Sequence, residues 1–148
     1  MYAPQRLTHQ TLPGWVNAYS YPGIITGKYY DKDTLKKLLK PIQAYQQKYR
    51  VPIYIGEFAC IRWAPNNSAF NYIRNCIEIF EEYNWDWSFL AFRSFETGFN
   101  GWSVEHSTGY YDQVLPTTKT DMELLLRFYF QQNVTSVQNL ESENQHAI

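Results

Sequence analysis

A chain of 148 residues makes one ordinary domain. Its 45% hydrophobic and 18% charged residues exclude a disordered chain, and a net charge of -1 argues against a nucleic-acid binder or a polybasic membrane-surface protein. No apolar run of about 18 residues is present, so no membrane-crossing helix is expected, and two cysteines exclude a disulfide-dense scaffold or an all-cysteine zinc site.

The opening Met1-Tyr2-Ala3-Pro4-Gln5-Arg6 has no basic start followed by an apolar stretch, so no signal peptide is expected. Residues 1–30 hold Pro4, Pro13, Gly14, Pro22, Gly23 and Gly27 without periodicity, which predicts a long ordered loop. Leu35, Leu38, Leu39, Ile42, Tyr45 and Tyr49 recur at helical spacing and predict a helix over 31–50. Asp31 or Asp33 caps it, and Pro41 is expected to kink or split it. Val51 to Gly56 reads as a buried strand that tolerates Pro52 only at its start. A second helix is predicted over 68–83, with Ser68 as N-cap and Ala69, Ile73, Cys76, Ile77 and Phe80 on one face. Trp85 to Phe92 is a second buried strand candidate, followed by a long loop over 93–119. Thr120 and Glu123 form a T-x-x-E capping box that opens a third helix over about 121–132. Residues 134–148 are polar and predicted to be disordered, which leaves 1–133 as the domain. Strands alternating with helices imply parallel pairing and an α/β fold, with sites on the loops after the strands.

Glu57 directly follows Ile53-Tyr54-Ile55-Gly56, at the C-terminal end of a predicted strand. A carboxylate there is held on rigid backbone at the mouth of such a fold. An ordinary loop glutamate remains the alternative. The aromatic content, 18%, fits either a large aromatic core or a surface that stacks on flat ligands. Without excess positive charge, sugars are favoured over bases.

Ile53-Tyr54-Ile55-Gly56-Glu57-Phe58 resembles the seventh barrel strand of glycoside hydrolase family 5, the endo-β-1,4-glucanases or cellulases. The resemblance continues through Met1 to Pro4 with Leu7-Thr8-His9-Gln10, through Tyr21 to Tyr30, and through Ile61 to Ala69. It extends to Trp85-Asp86-Trp87, Ala91-Phe92-Arg93 and Gly101-Trp102-Ser103-Val104-Glu105, and covers roughly residues 1–130. It implies a (β/α) TIM barrel, of which this chain matches the last two to three βα units, from the end of strand six to helix eight. Such a barrel needs about 250 residues. It also implies a retaining hydrolase of β-1,4-glucan with Glu57 as nucleophile, Tyr2 hydrogen-bonded to it, and Trp63, Phe95 and Trp102 lining the sugar site. No cofactor or metal is implied, the polysaccharide is the partner, and the family likeness points to secretion.

The departures from the family pattern are specific. A retaining glycosidase needs two carboxyl groups about 5–5.5 Å apart. The family's acid/base glutamate lies in an Asn-Glu-Pro motif, which this sequence lacks. Glu96, Glu105 and Asp112 are the acids in the loop after the second strand that could approach Glu57. Phe95 stands where relatives carry a tryptophan, in a loop longer than the pattern predicts. The histidine of the family's His-x-Tyr motif would precede Met1, which suggests a truncated or internally started gene. A partial barrel would expose strand edges and apolar helix faces, so self-association or pairing with an N-terminal fragment is expected. The alternative is an inactive remnant that binds β-glucan or serves only as an assembly piece. His9 reads as structural more readily than catalytic, and His9, His106 and His146 lack metal-ligand spacing. Cys60 and Cys76 read as buried thiols.

Overall fold

The computed structural model describes residues 1–95, 100–109 and 115–132. A short helix α1 (Gln5–Thr8) precedes an antiparallel hairpin of β1 (Gly23–Ile25) and β2 (Lys28–Tyr30). Then follow α2 (Lys32–Tyr49), β3 (Tyr54–Phe58), α3 (Ser68–Glu82) and β4 (Asp86–Phe89). A 3₁₀ turn covers Asn100–Trp102, and residues 121–132 are helical (α4). β3 and β4 pair in parallel with α3 between them, a βαβ unit. The described residues do not close a barrel.

The hairpin departs from the long loop expected over residues 1–30. Thr26 and Gly27 both take positive φ, 48° and 81°, the backbone of a two-residue turn whose twist matches its strands. The flanking Ile24-Ile25 and Lys28-Tyr29-Tyr30 carried the signal, which the surrounding prolines and glycines obscured.

α2 is capped as expected, the Asp31 carboxylate accepting from the Thr34 amide at 2.8 Å. Pro41 does not split it. Lys37 and Pro41 are both exposed, so the carbonyl that proline leaves without an amide partner lies on the solvent side of the helix. β3 begins at Tyr54 rather than Val51, because the ladder with β4 starts where the Asp86 amide meets the Ile53 carbonyl, past Pro52. Neither strand is buried on both faces. Tyr54, Gly56 and Glu57 are exposed, since no described segment covers that inner face.

α3 is capped one residue earlier than expected. Asn67 is the N-cap, at φ 56°, and its side chain makes no cap bond. The Ser68 hydroxyl instead donates to the Pro65 carbonyl and accepts from the Tyr21 amide. In α4, Thr120 caps the Glu123 amide at 3.1 Å, but the Glu123 carboxylate turns to Arg127, so only half of the capping box forms. The proposed tail, 134–148, lies outside the described residues.

The core lies between the outer face of the strands and the helices. Phe58 is fully buried and meets Phe80, Trp87 and Phe89 edge-to-face, with centroids 5.1 to 5.6 Å apart. Leu35, Leu39, Ile73, Ile77 and Phe80 complete the helical side. Cys60 and Cys76 are free and buried, and burial pushes the Cys76 thiol up to about 12. The ion pairs Lys32–Glu78 and Lys36–Glu82 that link α2 to α3 are only partly shielded from solvent and contribute little.

Candidate active site

Glu57 is the penultimate residue of β3 and points from the exposed inner face. The Tyr2 hydroxyl donates to Glu57 Oε1. Burial first, and then that bond, push the Tyr2 phenol well above its usual range, so it stays a proton donor. The Met1 amine donates to the Glu57 carbonyl, which lays the first residues alongside β3.

Thr8 donates its hydroxyl to the Tyr2 carbonyl at 2.9 Å and lies 2.8 Å from His9 Nδ1. A hydroxyl has one proton, so the Thr8 hydroxyl and His9 Nδ1 exchange donor and acceptor roles with the His9 tautomer. The His9 ring packs edge-on to Tyr2 at 5.0 Å and to Trp102 at 5.2 Å. Burial lowers its pKa and the Glu57 charge opposes that shift. His9 is therefore part of the Glu57 cluster as well as a packed residue. The sequence favours a structural His9 over a functional one, since a lone histidine in a loop shows nothing of a carboxylate brought near by the fold.

The aromatics divide. Trp102 is half-buried beside His9 and donates its indole N–H to the Thr8 carbonyl at 3.0 Å. Trp63 is buried, 5% exposed, donates to the Gln10 carbonyl at 2.9 Å and packs on Gly101. The two indoles thus anchor the segment that carries Thr8, His9 and Gln10. Phe95 is exposed and stands edge-on to His106 at 5.3 Å, rather than in the Tyr2–His9–Trp102 cluster. Arg62 holds the loop over 100–109: its Nε donates to the Asn100 carbonyl at 3.0 Å and its Nη1 to those of Ser107 and Gly109.

Of the three candidate acids, Glu96 and Asp112 lie outside the described residues. Glu105 is clamped by Arg93, with Nη2 donating to Oε1 at 2.9 Å and Nε donating to Oε2. That guanidinium holds the Glu105 carboxyl below its usual range. A cavity of about 450 Å³ sits between the 60–67 and 102–108 loops, but Glu57 is not on its wall. At Glu57 a carboxylate and a proton donor meet, outside that hollow. Among the described residues no three His, Cys, Asp or Glu side chains gather as a metal site.

The cluster has one carboxylate at a strand end, a phenol on it and aromatic rings beside it. Solved structures with a similar backbone include glycoside hydrolases. One, described as a glycoside hydrolase, is 31% identical over 84% of this chain and 37% of its own length, with a TM-score of 0.63. Thermotoga maritima Cel5A in complex with cellobiose is 25% identical over 83% of this chain and 35% of its own, with a TM-score of 0.56. A hyperthermophilic endo-β-1,4-glucanase in complex with substrate, 19% identical with a TM-score of 0.57, supports the fold alone. The structure is glycoside hydrolase-like. The neighbours are TIM barrels, and the chain spans little more than a third of their length. No protein-family model and no curated protein matches it.

Proposed function

We propose that this chain is the nucleophile-bearing part of a retaining β-1,4-glucan hydrolase related to glycoside hydrolase family 5, from the end of strand six to helix eight. The observation that carries the reading is the Glu57 carboxylate at a β-strand end with the Tyr2 hydroxyl donated to it. In this reading a Glu57 oxygen attacks the anomeric carbon as the bond to the leaving oxygen breaks, and water then releases the sugar from Glu57. Tyr2 orients the attacking carboxylate, and Trp102 offers an apolar ring face to the sugar. Phe95 and the cavity-side face of Trp63 serve more distant sugar units. The cellobiose carried by a 25% identical neighbour supports a β-1,4-linked glucan as substrate. The acid/base carboxyl comes from outside the described residues, through a second copy or the preceding barrel units, and the site is extracellular.

An aryl β-cellobioside with a 2,4-dinitrophenolate leaving group tests this, since so good a leaving group needs no acid. The chain is expected to release dinitrophenol, and Glu57→Gln to lose at least a hundredfold of that rate. Full activity in Glu57→Gln would remove Glu57 from the mechanism. Glucan binding by the chain without any release of dinitrophenol would favour the inactive remnant.

A further inference from the structure

Ile55 pairs with Trp87 and Phe58 with Phe89, so Gly56 and Glu57 together oppose the single residue Ser88. β3 therefore carries one extra residue, a β-bulge. Simple alternation from Tyr54 would put Glu57 on the face of Ile55, toward the helices, and Phe58 on the inner face. The bulge reverses both. Glu57 joins Tyr54 and Gly56 on the exposed side, and Phe58 is fully buried against Phe80. One irregularity thus seats the central core aromatic and presents the carboxylate to the inner face.

Ser88 is the residue that holds this irregularity. Its hydroxyl donates to the Gly56 carbonyl at 2.6 Å, where the ladder is interrupted. The Tyr54 hydroxyl donates to Ser88 Oγ at 2.9 Å and so orients it. The Tyr54 ring also lies over Gly56, where an added Cβ would sit 3.5 Å from Tyr54 Cε1. The three side-chain positions, Tyr54, Gly56 and Ser88, enclose the bulge from the inner face.

We infer that Ser88, oriented by Tyr54, is a positioning residue that fixes the bulge at Gly56–Glu57 and thereby the direction of the Glu57 carboxylate. Its catalytic consequence rests on the nucleophile reading above. Its structural consequence does not.

The experiment therefore has two arms on the full chain. In the first, 2,4-dinitrophenyl 2-deoxy-2-fluoro-β-cellobioside traps the glycosyl ester on Glu57, and intact mass follows its formation. Ser88→Ala is expected to slow labelling at saturation about tenfold, the loss that goes with one hydrogen bond to an aligned group, with the half-saturating concentration unchanged. Ser88→Thr keeps the hydroxyl and should keep the rate. In the second arm, carbon NMR follows the Glu57 carboxyl and the Gly56 carbonyl, with Ile73 and Ile77 methyl shifts reporting an intact core. Ser88→Ala should move both signals and Ser88→Thr should restore them. Wild-type labelling kinetics in Ser88→Ala would overturn the catalytic consequence, and unmoved Glu57 and Gly56 signals would overturn the positioning role itself. If the wild-type chain takes no label, the nucleophile reading fails and the NMR arm alone decides for or against Ser88.

Discussion

At the residue scale the site is a set of proton positions around one carboxylate. Tyr2 donates to Glu57, and the His9 ring packs edge-on to Tyr2. Burial disfavours the His9 imidazolium and the Glu57 charge favours it. His9 should therefore titrate below the ordinary value of about 6.5, and Glu57→Gln should lower its midpoint further, because the favouring charge is gone. NMR titration of the ring protons measures both, and a midpoint that rises in Glu57→Gln would place His9 out of reach of the carboxylate. The sign for stability follows. Folded His9 resists protonation while the unfolded chain accepts it, so acidification below about 6.5 removes stability until the folded ring also titrates. Glu57 and Tyr2 were legible in the sequence because the Gly-Glu-Phe and Met-Tyr-Ala-Pro segments carry the family likeness. The place of His9 beside Tyr2 was not, since only the fold brings that ring and the Glu57 carboxylate near it. Trp63 and Trp102 showed aromatic character but not that their indole N–H groups are spent on the Gln10 and Thr8 carbonyls.

At the element scale, helices were the most legible part. Apolar residues at three- and four-residue steps locate α2, α3 and α4 closely, and Asp31 and Thr120 mark two of their starts. Strand limits were less legible. Pro52 moves the start of β3 inward, and the bulge opposite Ser88 breaks the period of two that a strand reading depends on. The hairpin turn at Thr26–Gly27 was hidden among prolines and glycines. Gly101 illustrates a constraint that sequence does not reveal at all. A Cβ there would lie 2.4 Å from Ile61 Cδ1 and 2.8 Å from the Trp63 ring, both buried. Gly101→Ala should cost about 1–3 kcal/mol of stability through overpacking, read from urea unfolding midpoints. An unchanged midpoint would mean that the 100–109 loop packs less tightly on Trp63 than described.

At the scale of the whole molecule, two parallel strands and their helices leave faces that water should not meet. Tyr54 is 64% exposed on the inner side, Tyr45 and Tyr49 are exposed on α2, and Leu124 and Phe128 are exposed on α4. The solved neighbours are nearly three times as long as the stretch they share with this chain, and in a closed barrel such faces pack against further βα units. By itself the chain should therefore associate, and light scattering on the purified chain should give a mass above that of one 17.6 kDa copy. A stable, well-behaved monomer would show that these faces tolerate solvent. The central proposal, however, is chemical: that Glu57 accepts a glycosyl group even though no described residue is placed as its acid. The most direct measurement is to digest the chain after exposure to 2,4-dinitrophenyl 2-deoxy-2-fluoro-β-cellobioside and locate the adduct by mass spectrometry. The account predicts one adduct, on the peptide that contains Glu57, absent from Glu57→Gln. An adduct on another carboxylate, or none, would contradict it.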